Sequence, residues 1–215
     1  MFVGHYGISF AAKAIDRRIP LFVLFIAVQF VDVLWAVFVL LGIERVRIVP
    51  GITATNPLDL YHMPYTHSLV ASVLWAALAA VAYRFVRSWR GSAVLVGVAV
   101  FSHWVLDFVV HRPDLPLYGE TMKVGLGLWN YPAVALALEV GLVVGGLVWY
   151  LRRSEPTSQL GTYGFWVFCT MMVLIQAWVF FGPPPTSDVA LAVTALVSYA
   201  MFAGVAGWLE RHRRD

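Results

Sequence analysis

Apolar residues run along this chain in blocks of about twenty, separated by short stretches that hold most of the prolines and charges. Six blocks, at about 21–42, 67–86, 93–111, 131–151, 163–182 and 187–209, are long enough to cross a bilayer as helices. The pattern predicts an all-α integral membrane protein: one domain over 1–215, a six-transmembrane-helix bundle preceded by a short N-terminal half-helix and turn over 1–18. Phe2 to Ala14 is apolar but too short to span, and Asp16-Arg17-Arg18-Ile19-Pro20 reads as a turn. The half-helix either lies on the membrane surface or rises beside the first span as a hairpin. In a hairpin, His5 and Asp32 reach the same depth, roughly 20 Å from the turn at 1.5 Å per residue.

Composition agrees with a membrane class. Of the 215 residues, 60% are hydrophobic and 13% charged, where a soluble domain has about 45–50% and about 25%. The single cysteine, Cys169, lies in an apolar run, where packing is its expected role. The formal charge of +3 is explained by loops. With the first turn cytoplasmic, eleven of the fifteen Lys and Arg residues fall on that side, and Arg45, Arg47, Arg112 and Lys123 on the other. The expected location is a bacterial inner (cytoplasmic) membrane, with both basic terminal segments cytoplasmic. Membrane lipids are the expected surroundings, and no nucleic-acid partner is expected.

The polar residues inside the apolar blocks carry the chemistry. In Ser102-His103-Trp104-Val105-Leu106-Asp107-Phe108-Val109-Val110-His111, a helix sets His103, Asp107 and His111 on one face about 80° wide. Such groups are costly in hydrocarbon unless they bind something or each other. They can form a His–Asp pair that joins helices, or a site for Zn²⁺ or a similar divalent ion. His103 and His111 are about 12 Å apart along the axis, so one ion is not expected to take all three.

Depth groups further residues near the same, non-cytoplasmic side: Asp32, Glu139 and His67, with His62 and Asp59 just before span two. Each also has a plainer role. Asp32 and Glu139 can be protonated and bonded to backbone, Thr66 or Ser68 can cap a helix beside His67, and His62 can be a loop residue. Glu139 is a candidate ligand or general base, Asp32 a candidate ligand or catalytic acid, and His62 and His111 possible additional ligands. Arg112, in a proline-flanked turn, is a candidate for gripping an anionic headgroup. The last two spans carry little polar chemistry beyond Gln176.

Gly4-His5, Val31-Asp32, Tyr65-Thr66-His67-Ser68 and Ser102-His103-x-x-Leu106-Asp107, in that order, resemble the bacterial inner-membrane metal-dependent hydrolases of the LexA-regulated type. More distantly, they are similar to zinc-dependent phospholipase C. The resemblance covers roughly residues 1–115. By position it implies that His5, Asp32, His67, His103 and Asp107 are metal ligands. The sequence departs from that pattern in carrying one carboxylate at Phe30-Val31-Asp32-Val33, and His62-Met63-Pro64 before the Thr-His-Ser.

Taken together, the expected function is a metal-dependent hydrolase, with zinc as its expected cofactor, acting on a lipid-like phosphoester or ester at the outer leaflet. Two other classes use the same residues: a small transporter or permease, and a non-catalytic membrane protein whose metal holds helices together.

Overall fold

The computed structural model describes residues 1–87 and 89–214. Among these residues eight α-helices dominate: α1 (His5–Ile15), α2 (Leu21–Val28), α3 (Phe30–Leu40), α4 (Leu69–Val86), α5 (Arg90–Val110), α6 (Pro132–Arg152), α7 (Gln159–Phe181) and α8 (Asp188–Glu210). Helices α4 to α8 are each long and apolar enough to cross a membrane, and α2 with α3 passes the same test together as a bent pair, either a broken span or a re-entrant loop. The local starts follow from the residues. Ser68, Ser158 and Ser187 cap α4, α7 and α8 by accepting amides three residues on, and Pro132 opens α6 where its missing N–H costs nothing.

The first apolar block is not one straight helix. It bends by 56° at Gln29, whose backbone leaves helical values. Gln29 is buried and its Nε2 donates to the Phe2 carbonyl at 3.2 Å. At the same break the Val28 carbonyl is taken by His103. Both are partners a continuous apolar block does not announce, and side chains inserted at a helix ladder are a known cause of kinks.

Helix α1 is inside the bundle, not on its surface. His5, Tyr6, Phe10 and Lys13 are buried, and Ser9 donates to the Leu24 carbonyl of α2. Against α6 the backbones touch: a Cβ on Gly146 would lie 2.1 Å from the Gly7 carbonyl oxygen. The spacing of Gly141 with Gly145 and of Gly204 with Gly207 predicts close-packing positions; Gly207 does pack, against Phe22, whereas the other three face open space. The tightest of the helix–helix contacts fall on Gly7 and Gly146, which that spacing does not single out. Polarity alone does not tell which face of an all-apolar helix meets its neighbour.

Two hairpins cover one end. Strands β1 (Arg45–Ile48) and β2 (Leu58–His62) pair antiparallel, as do β3 (Leu115–Tyr118) and β4 (Thr121–Val124). Lys123 of the second donates to the Tyr61 carbonyl of the first, and Thr55 donates to the Trp129 carbonyl in the turn before α6. At the opposite end Lys13 pairs with Glu210 at 2.6 Å. Between them lie two apolar clusters. One is an aromatic stack of Tyr6, Phe10, Phe25, Tyr150, Phe165 and Phe202, and the other, under the hairpins, includes Trp35, Met63, Leu115 and Trp129. The polar cluster sits at their junction.

Candidate metal centre

Asp107 is the hub. It lies on α5, 2% exposed, and its Oδ2 is approached by three imidazole nitrogens: His103 Nε2 at 3.1 Å, His111 Nε2 at 3.6 Å and His67 Nε2 at 3.8 Å. Its Oδ1 meets His5 Nε2 at 3.2 Å and the Met1 amino nitrogen at 2.6 Å. Across the site, Asp32 Oδ1 is 3.3 Å from His67 Nε2 and 3.5 Å from His103 Nε2. The bend at Gln29 starts the helix that carries Asp32.

The far nitrogens of three rings are already committed. His103 Nδ1 donates to the Val28 carbonyl at 2.8 Å, and His111 Nδ1 to Asp114 Oδ1 at 2.9 Å. His67 is settled by its neighbour. The Thr66 hydroxyl has one proton, which it donates to Glu44 Oε2 at 2.6 Å, so it accepts from His67 Nδ1 at 2.8 Å. With each Nδ1 carrying a proton, each Nε2 faces the carboxylates either as a lone pair turned to a shared cation or as the second N–H of an imidazolium. Lone pairs facing carboxylate oxygens at these distances repel unless a cation lies between them.

The residues fit a divalent metal. Two triads, His5–His103–Asp107 and Asp32–His67–His103, bring donor atoms within 4.8 Å of one another. The four contacts joining His67 and His103 to Asp32 and Asp107 span 3.1–3.8 Å. Two ligands on one ion with bonds of about 2.0–2.2 Å stand roughly 3–3.5 Å apart. His103 Nε2 has no aligned hydrogen-bond acceptor despite its two close carboxylates; His5, which faces the cluster through Nε2, has a buried Nδ1 without the orienting partner the other three rings have. Imidazoles whose other N–H is held by a carbonyl or carboxylate are the usual form of metal ligands. Because an imidazole nitrogen has one lone pair, His103 serves a single ion, and both triads cannot be filled separately.

The other candidates are placed differently. His111 joins the hub, with Trp129 packed 4.2 Å from its ring, although its partners leave it outside both triads. Glu139 lines the cavity beside the cluster but stands outside both triads, and its carboxylate accepts the Gly4 amide at 2.7 Å and the Phe2 amide at 3.1 Å. These amides belong to the N-cap Gly4 and to Phe2 just before it, so the carboxylate tethers the start of α1. His62 is also outside. On β2 it turns to the second hairpin and pairs with Glu120 at 3.1 Å. Arg112 is no free headgroup clamp, since Asp59 at 2.5 Å and Asp114 at 3.0 Å occupy its guanidinium.

Three residues reach the site unannounced by any motif. Tyr199 of α8 donates to Asp32 Oδ2 at 2.9 Å, so the last span does contribute. Asp114 and Glu44 orient His111 and His67. Glu44 is 1% exposed and also accepts the Tyr65 and Thr66 amides. Burial pushes its carboxyl above the usual value, while the Thr66 hydroxyl acts to lower it.

A cavity of about 650 Å³ opens onto the hub. Asp32, His67, Asp107 and His111 form its floor. Its walls come from α7 (Ile175, Trp178, Val179), one face of α8 (Leu191, Ala195, Ser198) and the loop from Pro50 to Leu58. It is an apolar cleft with a polar end.

Comparisons with protein-family models, curated proteins and solved structures find no match to this chain.

Proposed function

We propose that this protein is a membrane-embedded metal-dependent hydrolase acting on a phosphoester or ester of a lipid-like substrate. The observation that carries the reading is the convergence of three Nε2 atoms, each with its Nδ1 proton already bound, on Asp107 at the floor of an apolar cleft. Asp32, His67, His103 and Asp107 would hold the ion, with His5 completing the set, and mixed imidazole and carboxylate donors suit zinc. When bound, such an ion supplies Lewis acidity toward an ester oxygen and a nucleophilic water near neutral pH.

The chain's own groups do the rest. Asp32, with one oxygen on Tyr199 and a side chain 16% exposed toward the cleft, is the carboxylate positioned to take a proton from water. Tyr199 orients that carboxylate. The α7–α8 walls exclude water and accept an acyl chain while the ester end meets the floor. We further propose that the hydrolase lies in a bacterial inner membrane with its basic end cytoplasmic, so that the cleft serves the outer leaflet.

One observation favours a permease instead: the bent α2–α3 pair, which read as a broken span is a device common in transporters. Against it, the aromatic stack around Phe10, Phe25 and Phe165 fills the bundle between the cluster and the Lys13–Glu210 end. Purified protein in nanodiscs, loaded with zinc and offered lipid ester and phosphoester substrates, separates the two. Chelator-sensitive turnover that is lost in His103→Ala supports the hydrolase. Metal flux into liposomes without turnover would replace it with the permease.

A further inference from the structure

A second cavity, of about 740 Å³, lies at the other end of the molecule, between the α1–α2 turn, the start of α5 and the end of α6. Its rim holds Arg17, Arg18 and Arg153, and its wall is Ile15, Val94, Leu95 and Val98. We propose that this groove binds one anionic phospholipid, with the phosphate at the arginines and an acyl chain along α5.

The turn is built to present its charge. The Asp16 carboxylate takes Arg18 in a two-point pair at 2.8 and 2.9 Å and accepts the Ser92 hydroxyl of α5. The Arg17 carbonyl accepts from buried Lys13. The Arg18 guanidinium stands 5.1 Å over the Trp89 ring. The one acid in the groove is therefore engaged with Arg18 and Ser92. Arg17 and Arg153 are exposed and, among the described residues, have no acidic partner. Three arginines against one aspartate leave an excess of two positive charges.

The wall makes the ligand amphiphilic. Val94 and Val98 are 63% and 54% exposed on one stripe of α5, four residues apart, and Ile15 is 61% exposed. From Gly91 to Val98 the groove follows α5 for about 10 Å at 1.5 Å per residue. A soluble anion would leave this stripe bare, and a neutral lipid would leave the arginines unmatched. Basic pockets between spans that combine both features suit acidic headgroups.

The experiment reconstitutes the full chain with equal phosphatidylglycerol and phosphatidylcholine, and counts retained lipids by native mass spectrometry. Wild type is expected to keep phosphatidylglycerol preferentially, and Arg17→Gln with Arg153→Gln to lose that preference by about fivefold per arginine removed. Arg84→Gln with Arg87→Gln removes the same charge at the same end but outside the groove, and is expected to match wild type. Val98→Trp, which fills the wall without touching charge, is expected to lose the retained lipid. Equal losses in the two double variants, or full retention in Val98→Trp, would overturn the proposal in favour of diffuse charge attraction.

Discussion

The Thr66 hydroxyl stands 2.8 Å from His67 Nδ1, and because its own proton goes to Glu44 it can act there only as an acceptor. A buried loop acid thus decides which nitrogen of a candidate ligand faces the cluster. Thr66→Val is expected to weaken zinc binding by about 10- to 100-fold, the usual effect of removing a partner that orients a ligand. Thr66→Ser keeps the hydroxyl and is expected to bind as wild type. Zinc titration against a competing chelator checks both, and equal affinity in Thr66→Val would remove this role.

Tyr199 gives a different kind of test. It touches Asp32, a member of one triad, but belongs to neither triad itself. In the hydrolase reading, Tyr199→Phe is expected to lower the turnover number by roughly tenfold, the low end of what positioned proton-transfer groups contribute. Zinc content should stay unchanged. Loss of metal in this variant would make Tyr199 part of the binding set instead.

The α1–α6 contact is tested by two alanines. Gly146→Ala drives a methyl into the Gly7 backbone, an overpacking expected to cost about 1–3 kcal/mol. Gly145→Ala faces open space and is expected to be close to neutral. Thermal unfolding in detergent compares them, and similar midpoints would mean that α1 is not seated as described.

Acid stability should reflect the turn at Asp16. The Arg18 side chain bonded to Asp16 holds its carboxyl down to about 2 from the ordinary 3.8, against the opposing effect of its partial burial. A depressed carboxyl stabilises the fold above its unfolded value and loses that contribution as pH falls through its folded value. Asp16→Asn is therefore expected to lower the melting temperature at neutral pH, with the gap to wild type closing between about pH 4 and 2. A gap that persisted unchanged at pH 2 would contradict this.

Much of the fold and part of the cluster were legible in the sequence. Block length predicts the spans, and a four-residue interval puts His103, Asp107 and His111 on one face, where the structure has all three side chains meeting. Depth counting along a hairpin brings His5 and Asp32 to one level, and both reach the hub. What was hidden depends on partners far along the chain. Gln29 breaks a helix because Phe2 lies beside it, and Glu44 in a loop carries no motif. Tyr199 is one more aromatic in an oily span. Glu139 shares the depth of the ligands, yet the amides of Phe2 and Gly4 claim it. Arg112 stands near the same end, but its charge is met by Asp59 and Asp114.

The most direct measurement is the metal content of the full chain, purified without affinity metals and analysed by elemental mass spectrometry. At least one divalent ion per chain is expected in wild type, and at most a small fraction of that in folded Asp107→Asn and His103→Ala. Wild-type protein that is folded and metal-free, and that takes up no zinc when offered it, would contradict the account at its centre.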